Sequence, residues 1–190
     1  MRLSCRWWAV LVLGFCGLIL NPLRSSWAAE ITFPIYQSAT IDDGVGQARI
    51  LVDFGELSVL KGKRILYAKF VFYLDTDTCS PAQSEVDIEP VTKPWSAQSV
   101  SWTSPWDSAG GDFTRTGSCV ATADRGLDGT FEVLLTPLVQ SWANGRLRND
   151  GLILVPQAIG CNQRLVSPGV ATGLKPHGLF VRCTVTGPSR

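Results

Sequence analysis

Apolar and polar residues alternate with a period of two along most of the chain. From Ala48 to Phe54, the residues Ala48, Ile50, Val52 and Phe54 face one way, while Arg49 and Asp53 face the other. From Ala68 to Leu74 the inward set is Ala68, Phe70, Phe72 and Leu74. Val86 and Ile88 alternate with Glu85, Asp87 and Glu89. This alternation marks strands with one face in a core and one in water. Further strands are predicted at Val100–Thr103, Thr130–Leu134, Gly151–Val155 and Leu179–Val185. Turn-forming residues separate them: Lys61-Gly62, Asp107 to Asp112, Asp128-Gly129 and Asn149-Asp150-Gly151. One short helix interrupts the strands. Thr136 is placed to cap it, Pro137 suits its first position, Leu138 and Trp142 share a face, and Gly145 ends it. Short strands, frequent turns and one short helix predict an all-β fold, a jelly-roll β-sandwich with one short helix, stabilised by disulfides.

The first residues follow a different pattern. Arg2 and Arg6 give a positive start, and an apolar run extends from Trp7 to Leu20. Ser26-Trp27-Ala28 offers small residues at the two positions a signal peptidase reads. The run has about 14 residues, against the roughly 20 that span a bilayer. Residues 1–28 are therefore read as a secretory signal, with cleavage near Ala28 or Ala29, and 29–190 as a single β-sandwich domain. Cys16 is a poor lipid-anchor site, because Phe15 precedes it where a small residue is needed. No stable membrane insertion is expected after cleavage.

Export changes the charge and the cysteine chemistry. The full chain of 190 residues is 45% apolar and 17% charged, with a net charge of +1. Loss of Arg2, Arg6 and Arg24 leaves 14 bases against 16 acids, a formal charge of −2. Nucleic acid is therefore not an expected partner. Cys79, Cys119, Cys161 and Cys183 remain, and an exported chain with an even cysteine count reads as disulfide-bonded. Of the three pairings open to them, Cys161–Cys183 with Cys79–Cys119 is favoured. No Cys-x-x-Cys pair supports a zinc site, and a single histidine rules out a multi-histidine centre.

Candidate chemistry is sparse. His177 is the only imidazole, it sits in the turn-like Lys175-Pro176-His177-Gly178, and no Gly-x-Ser-x-Gly elbow accompanies it. Glu85, Asp87 and Glu89 share one strand face, read as solvated. Asp75-x-Asp77 and Asp42-Asp43-Gly44 are read as turns, with a structural calcium ion left open as the one cofactor. Gly44-Val45-Gly46 lacks the rest of a phosphate loop. Trp95, Trp102 and Trp142 are read as packing residues. Trp106, in a polar Gly- and Asp-rich loop, is the aromatic expected to stack on a ligand. Arg146 and Arg148, with Lys61, Lys63 and Arg64, are the bases available to an acidic one.

The order of several short pieces carries a resemblance. They are Val52-Asp53-Phe54-Gly55-Glu56-Leu57-Ser58, Ile65-Leu66-Tyr67-Ala68-Lys69-Phe70, Trp95, Val100-Ser101-Trp102 and Ser104-Pro105. Phe131-Glu132-Val133, Leu138-Val139-Gln140-Ser141-Trp142 and Asn149-Asp150-Gly151-Leu152-Ile153-Leu154 follow. From about Ile50 to Val155 the chain resembles the DNRLRE domain family, grouped with carbohydrate-binding module family 96. The string that names the family is absent, the N-terminal part is cut down to Asp42-Asp43-Gly44-Val45-Gly46, and the four cysteines are an addition. The resemblance implies a jelly-roll sandwich of the kind found in surface proteins and polysaccharide-degrading enzymes, some of which bind acidic polysaccharide such as alginate. The matched residues belong to the scaffold, so no binding site is carried over from it.

The function expected is a secreted, non-catalytic domain that binds a polysaccharide outside the cell, in the periplasm or at the cell surface. A structural, adhesion or fibre subunit of the surface, with other surface proteins as partners, is the alternative. An enzyme such as a jelly-roll lyase is not expected, for want of a catalytic constellation. Trp106, Arg146 and Arg148 are the ligand-binding candidates.

Overall fold

The computed structural model describes residues 26–75, 86–114, 121–123, 130–156, 164–165 and 177–186. In chain order the elements are β1 (Ser26–Phe33), β2 (Gln37–Asp42), β3 (Ala48–Asp53), a 3-10 turn (Ser58–Leu60), β4 (Ile65–Asp75) and β5 (Val86–Pro90). There follow β6 (Ala121–Ala123), β7 (Thr130–Leu134), α1 (Thr136–Ala143), β8 (Leu152–Pro156), β9 (Arg164–Leu165) and β10 (Gly178–Thr186). They form two antiparallel sheets. The first runs β1-β10-β4-β7, with β9 pairing the far end of β4, and the second runs β2-β3-β8-β5-β6.

The alternating apolar residues meet between these sheets. Ala68, Phe70, Phe72 and Leu74 of β4 face Ile50 and Val52 of β3, Leu152 and Leu154 of β8, and Val86 and Ile88 of β5 in one buried cluster. A column of rings runs through it. Phe54 meets Phe70 edge-on at 5.2 Å, Phe70 stacks on Phe72 at 4.7 Å, and Phe72 stacks on Phe131 at 5.1 Å. Burying a phenylalanine side chain of this kind contributes about 1.5–3 kcal/mol, before the geometric gain of ring packing.

Helix α1 lies where predicted, but Thr136 does not cap it. Leu135 holds the cap position without a side-chain hydrogen bond, and Pro137 stands in the first turn. The Thr136 hydroxyl instead accepts from Ala68 N–H at 2.9 Å. Gln140 accepts from Ile65 N–H at 2.8 Å and donates to the Lys63 carbonyl at 3.1 Å. Polar side chains of the helix thus continue the ladder of β4 past the end of β7, where backbone groups would otherwise lack partners. Leu138, Val139, Trp142 and Ala143 bury the helix's other face.

Three further sequence expectations need correction here. Val100–Thr103 is not a strand. Val100 N–H is bound to Ser96, and Ser101 N–H to Ser104, so the backbone is spent on local turns. The segment 92–114 folds back instead over the outer face of the second sheet, where Trp106 packs with Ile41, Leu51, Val91 and Ile153, flanked by Trp95, Trp102 and Phe113. That roof explains the second correction. Glu89 pairs in register with Ile153 and so shares the covered face, and it is 0% exposed rather than solvated. Asp87 is half-buried, and Glu85 lies outside the described residues. The third concerns the disulfides. Cys183 is a buried free thiol, so a Cys161–Cys183 bridge is not formed here. Cys79, Cys119 and Cys161 lie outside the described residues.

Strands β1 and β2 were not marked by the alternation. β2 is an edge strand whose residues are mostly polar, and β1 opens inside the segment read as a signal. Ser26, Trp27 and Ala28 pair with Thr186, Val185 and Thr184, while Ala29–Phe33 pair with Cys183–Leu179. Cleavage near Ala28 would leave the second set of pairs in place.

The sharpest backbone constraint lies at the entry to β8. Gly151 has φ +86, and a Cβ there would run into the Val52 carbonyl. Gly151→Ala is expected to lower stability by about 2 kcal/mol or more, combining left-handed strain with a backbone clash. Chemical denaturation of the variant against the parent measures this directly, and an unchanged midpoint would contradict it.

Candidate functional site

One end of the sandwich is polar, where the 3-10 turn, the C-terminus of α1 and the segment 144–150 converge. Gly145 ends the helix with φ +69. Its N–H binds the Trp142 carbonyl at 3.0 Å, and Arg146 N–H binds the Ser141 carbonyl at 2.9 Å. This is a Schellman-type stop, which closes the last turn and sets the direction in which the chain leaves. Gly62 N–H binds the Ala143 carbonyl at 2.9 Å, which brings the Lys61-Gly62 turn against the same helix end.

Between these parts lies a cleft of about 630 Å³, lined among others by Ser58, Lys61, Trp142, Asn144, Arg146 and Asn149. A second cleft of about 370 Å³ adjoins it, lined by Arg146 and Arg148 with Thr92, Thr114 and Asp150. Both volumes fall in the range of small-ligand sites.

The hydrogen bonds around the first cleft decide which polar groups remain for a ligand. Asn149 donates to the Gly55 carbonyl at 3.0 Å and accepts from Gly151 N–H at 3.2 Å, so its amide is held at both ends. The Asn144 side-chain oxygen accepts from Gln140 at 3.0 Å, and its NH₂ has no partner among the described residues. Among the described residues, Lys61 and Arg146 are exposed and without ion-pair partners, and no carboxylate lines this cleft. The groups left over are a primary ammonium, a guanidinium, an amide NH₂ and the Ser58 hydroxyl. Such a set offers donors and positive charge to a ligand rich in acceptors. Trp142 presents an almost fully buried ring to the cleft wall, and its indole N–H has no hydrogen-bond partner among the described residues.

The second cleft is electrostatically milder. Arg148 Nε donates to Asp150 at 2.7 Å, and the Asp150 side chain is only 8% exposed. This fixes the guanidinium and offsets its charge. Asp150 is held in turn by the Trp95 indole, which donates to its backbone carbonyl at 2.9 Å.

The sequence candidates therefore divide. Arg146, Arg148 and Lys61 come together at this end. Lys63 is half-buried nearby, and Arg64 is turned to the β10 side, where its backbone pairs with Thr184. Trp106 is not part of the site. It is 7% exposed, and its indole donates to the Ser101 carbonyl at 2.8 Å beneath the 92–114 roof. A polar loop composition suggested exposure, but the outer face of the second sheet is apolar and draws the ring inward. Ser58 and Asn149 enter the sequence reading only as turn and scaffold residues, and Asn144 not at all, because small polar residues in turns carry no local signal for a ligand.

The remaining titratable candidates are local structure. Asp42 accepts from Gly44 N–H at 3.1 Å, and Asp43 accepts from Val45 and Gln47, each at 2.9 Å. The Gln47 amide first, then that of Val45, holds the Asp43 carboxyl below its ordinary value. Asp77 lies outside the described residues. Among the described residues no three His, Cys, Asp or Glu side chains cluster as a metal site. His177 packs edge-on to Tyr73 at 6.0 Å, and burial pushes its imidazole below the usual value. No family model matches the chain, and no curated protein is significantly similar to it.

Two predictions follow from these placements. Trp106→Ala is expected to cost about 3–5 kcal/mol of stability, as for other large-to-small core changes. A denaturation midpoint equal to the parent's would return Trp106 to the surface. For His177 the folded state holds the proton less tightly than the unfolded chain, whose value is near 6.5. The stability it contributes is therefore present above that value and is lost as pH falls through it toward the lower folded value. As the chain has a single histidine, one imidazole resonance reports the titration. Its midpoint is expected below that of an unfolded peptide, and His177→Gln should flatten the stability loss as pH falls through and below 6.5.

Proposed function

We propose that this chain is a secreted, non-catalytic carbohydrate-binding-module-like domain that holds an acidic polysaccharide at the polar end of the sandwich. One observation carries the reading: the larger cleft presents Lys61, Arg146, the Asn144 amide and the Ser58 hydroxyl, and no carboxylate. A uronate or sulfate group supplies the acceptors these donors need.

The strand order supports a jelly roll as the finer architecture. With β2 and β9 set aside, the sheets read β1-β10-β4-β7 and β3-β8-β5-β6. Counting only those eight strands, the orders become first-eighth-third-sixth and second-seventh-fourth-fifth. This is the succession produced when one long antiparallel hairpin is rolled into two sheets. The resemblance to the DNRLRE domains, in the same order of short motifs, supports the same reading. In this reading residues 1–28 act as the export signal, and the domain works outside the cytoplasm, in the periplasm or at the cell surface.

The outer face of the first sheet favours a second reading, as an adhesion or fibre subunit. It leaves Tyr67 41% and Leu134 61% exposed, beside the Lys69–Glu132 pair and a shallow groove lined by Phe180 and Arg182. Concentration-dependent assembly of the pure protein, without glycan binding, would support that reading.

The test is calorimetric titration with neutral and acidic polysaccharides. Saturable binding is expected for an acidic polymer only. Lys61→Ala and Arg146→Ala should each weaken it about tenfold, or roughly 1.4 kcal/mol. Added salt should weaken it further, since exposed charges are screened. Equal binding of neutral and acidic polymers, or none by a folded sample, would overturn the proposal.

A further inference from the structure

The two clefts at the polar end are not independent, because Arg146 lines both. Lys61 and Ser58 line only the larger one, and Arg148 and Thr114 only the smaller. Arg146 is therefore the base common to both clefts, with Lys61 belonging to one and Arg148 to the other. The Schellman-type stop at Gly145 holds the Arg146 backbone at the junction.

Resting on the carbohydrate-binding reading above, we infer that the joined clefts form one groove for an internal stretch of a polyanionic glycan, with Arg146 as the residue that couples its two halves. The halves differ in what they read. The larger cleft holds uncompensated charge from Lys61 and Arg146 and takes the carboxylates of successive sugar units. In the smaller cleft Asp150 offsets the charge of Arg148 and fixes its guanidinium, while Thr92 and Thr114 add side-chain hydroxyls. That half takes the hydroxyl-bearing continuation of the chain. A ligand that fills only the larger cleft leaves Arg148 unused, so affinity must grow with chain length until both halves are occupied.

This is tested with a length series of one oligouronate, from disaccharide to octasaccharide, titrated into the full secreted protein by calorimetry. Circular dichroism confirms the fold of each variant. The octasaccharide is expected to bind at least tenfold more tightly than the disaccharide. Arg148→Ala should weaken the octasaccharide several-fold and leave the disaccharide unchanged. Arg146→Ala should weaken both, because that residue serves both halves. Disaccharide and octasaccharide of equal affinity would overturn the groove while leaving the carbohydrate-binding reading intact. So would octasaccharide binding indifferent to Lys61→Ala, Arg146→Ala and Arg148→Ala, which would place the glycan elsewhere on the domain. Absence of binding by any length, and by the polymer, would overturn the carbohydrate-binding reading and the groove with it.

Discussion

The ring column of Phe54, Phe70, Phe72 and Phe131 is the contact on which the rest of the molecule depends. Phe70 and Phe72 come from β4, the longest strand, which is paired by β10 on one side and β7 on the other. The rings fill the space between the sheets and so keep the two faces a fixed distance apart. Because β4 extends beyond β7, its first residues need other partners, and α1 supplies them through Thr136, Gln140 and the Leu135 backbone. The helix is thus part of the first sheet's hydrogen bonding. Its C-terminus is carried to the end of the sandwich, where the candidate site forms.

The two outer faces are treated differently. The second sheet is covered by its own chain, with Arg49 reaching up to the Gly110 carbonyl and lying over the Trp102 and Phe113 rings at 4.9 and 5.2 Å. Asp112 holds the roof's shape by accepting from Asp107 and Ser108 N–H at 2.8 and 3.0 Å. The tryptophans of this segment therefore serve packing, with indole N–H groups of Trp95 and Trp106 tied to backbone carbonyls. Aromatic stacking on a ligand is not available from rings used this way. What the cleft offers is charge and hydrogen-bond donors, so the proposed recognition rests on anion pairing rather than on ring stacking.

Legibility follows the range of the forces involved. The strands at 48–53 and 130–134 and the helix at 136–143 lie within a residue or two of their sequence readings, because alternation and the Pro137 and Gly145 signals are local. The cluster of bases was visible as residues but not as a site. Lys61 and Arg146 are far apart in the chain, and only the pairing of Gly62 N–H with the Ala143 carbonyl brings their segments together. The amides of Asn144 and Asn149 gain meaning only from which of their atoms are already bound.

By itself, the sequence determined an antiparallel β domain with one amphipathic helix. Period-two burial is a property each strand carries alone. Tertiary structure decided which polar positions face water. Glu89 and Trp106 both read as outward by local rules. Glu89 is buried because the segment 92–114 closes over its side of the sheet, and Trp106 because it is the ring this segment lays on that face. Alternation separates the two faces of a strand, but it cannot say which outer face the rest of the chain will cover. That depends on where a connecting segment finds apolar surface after the sheets have formed.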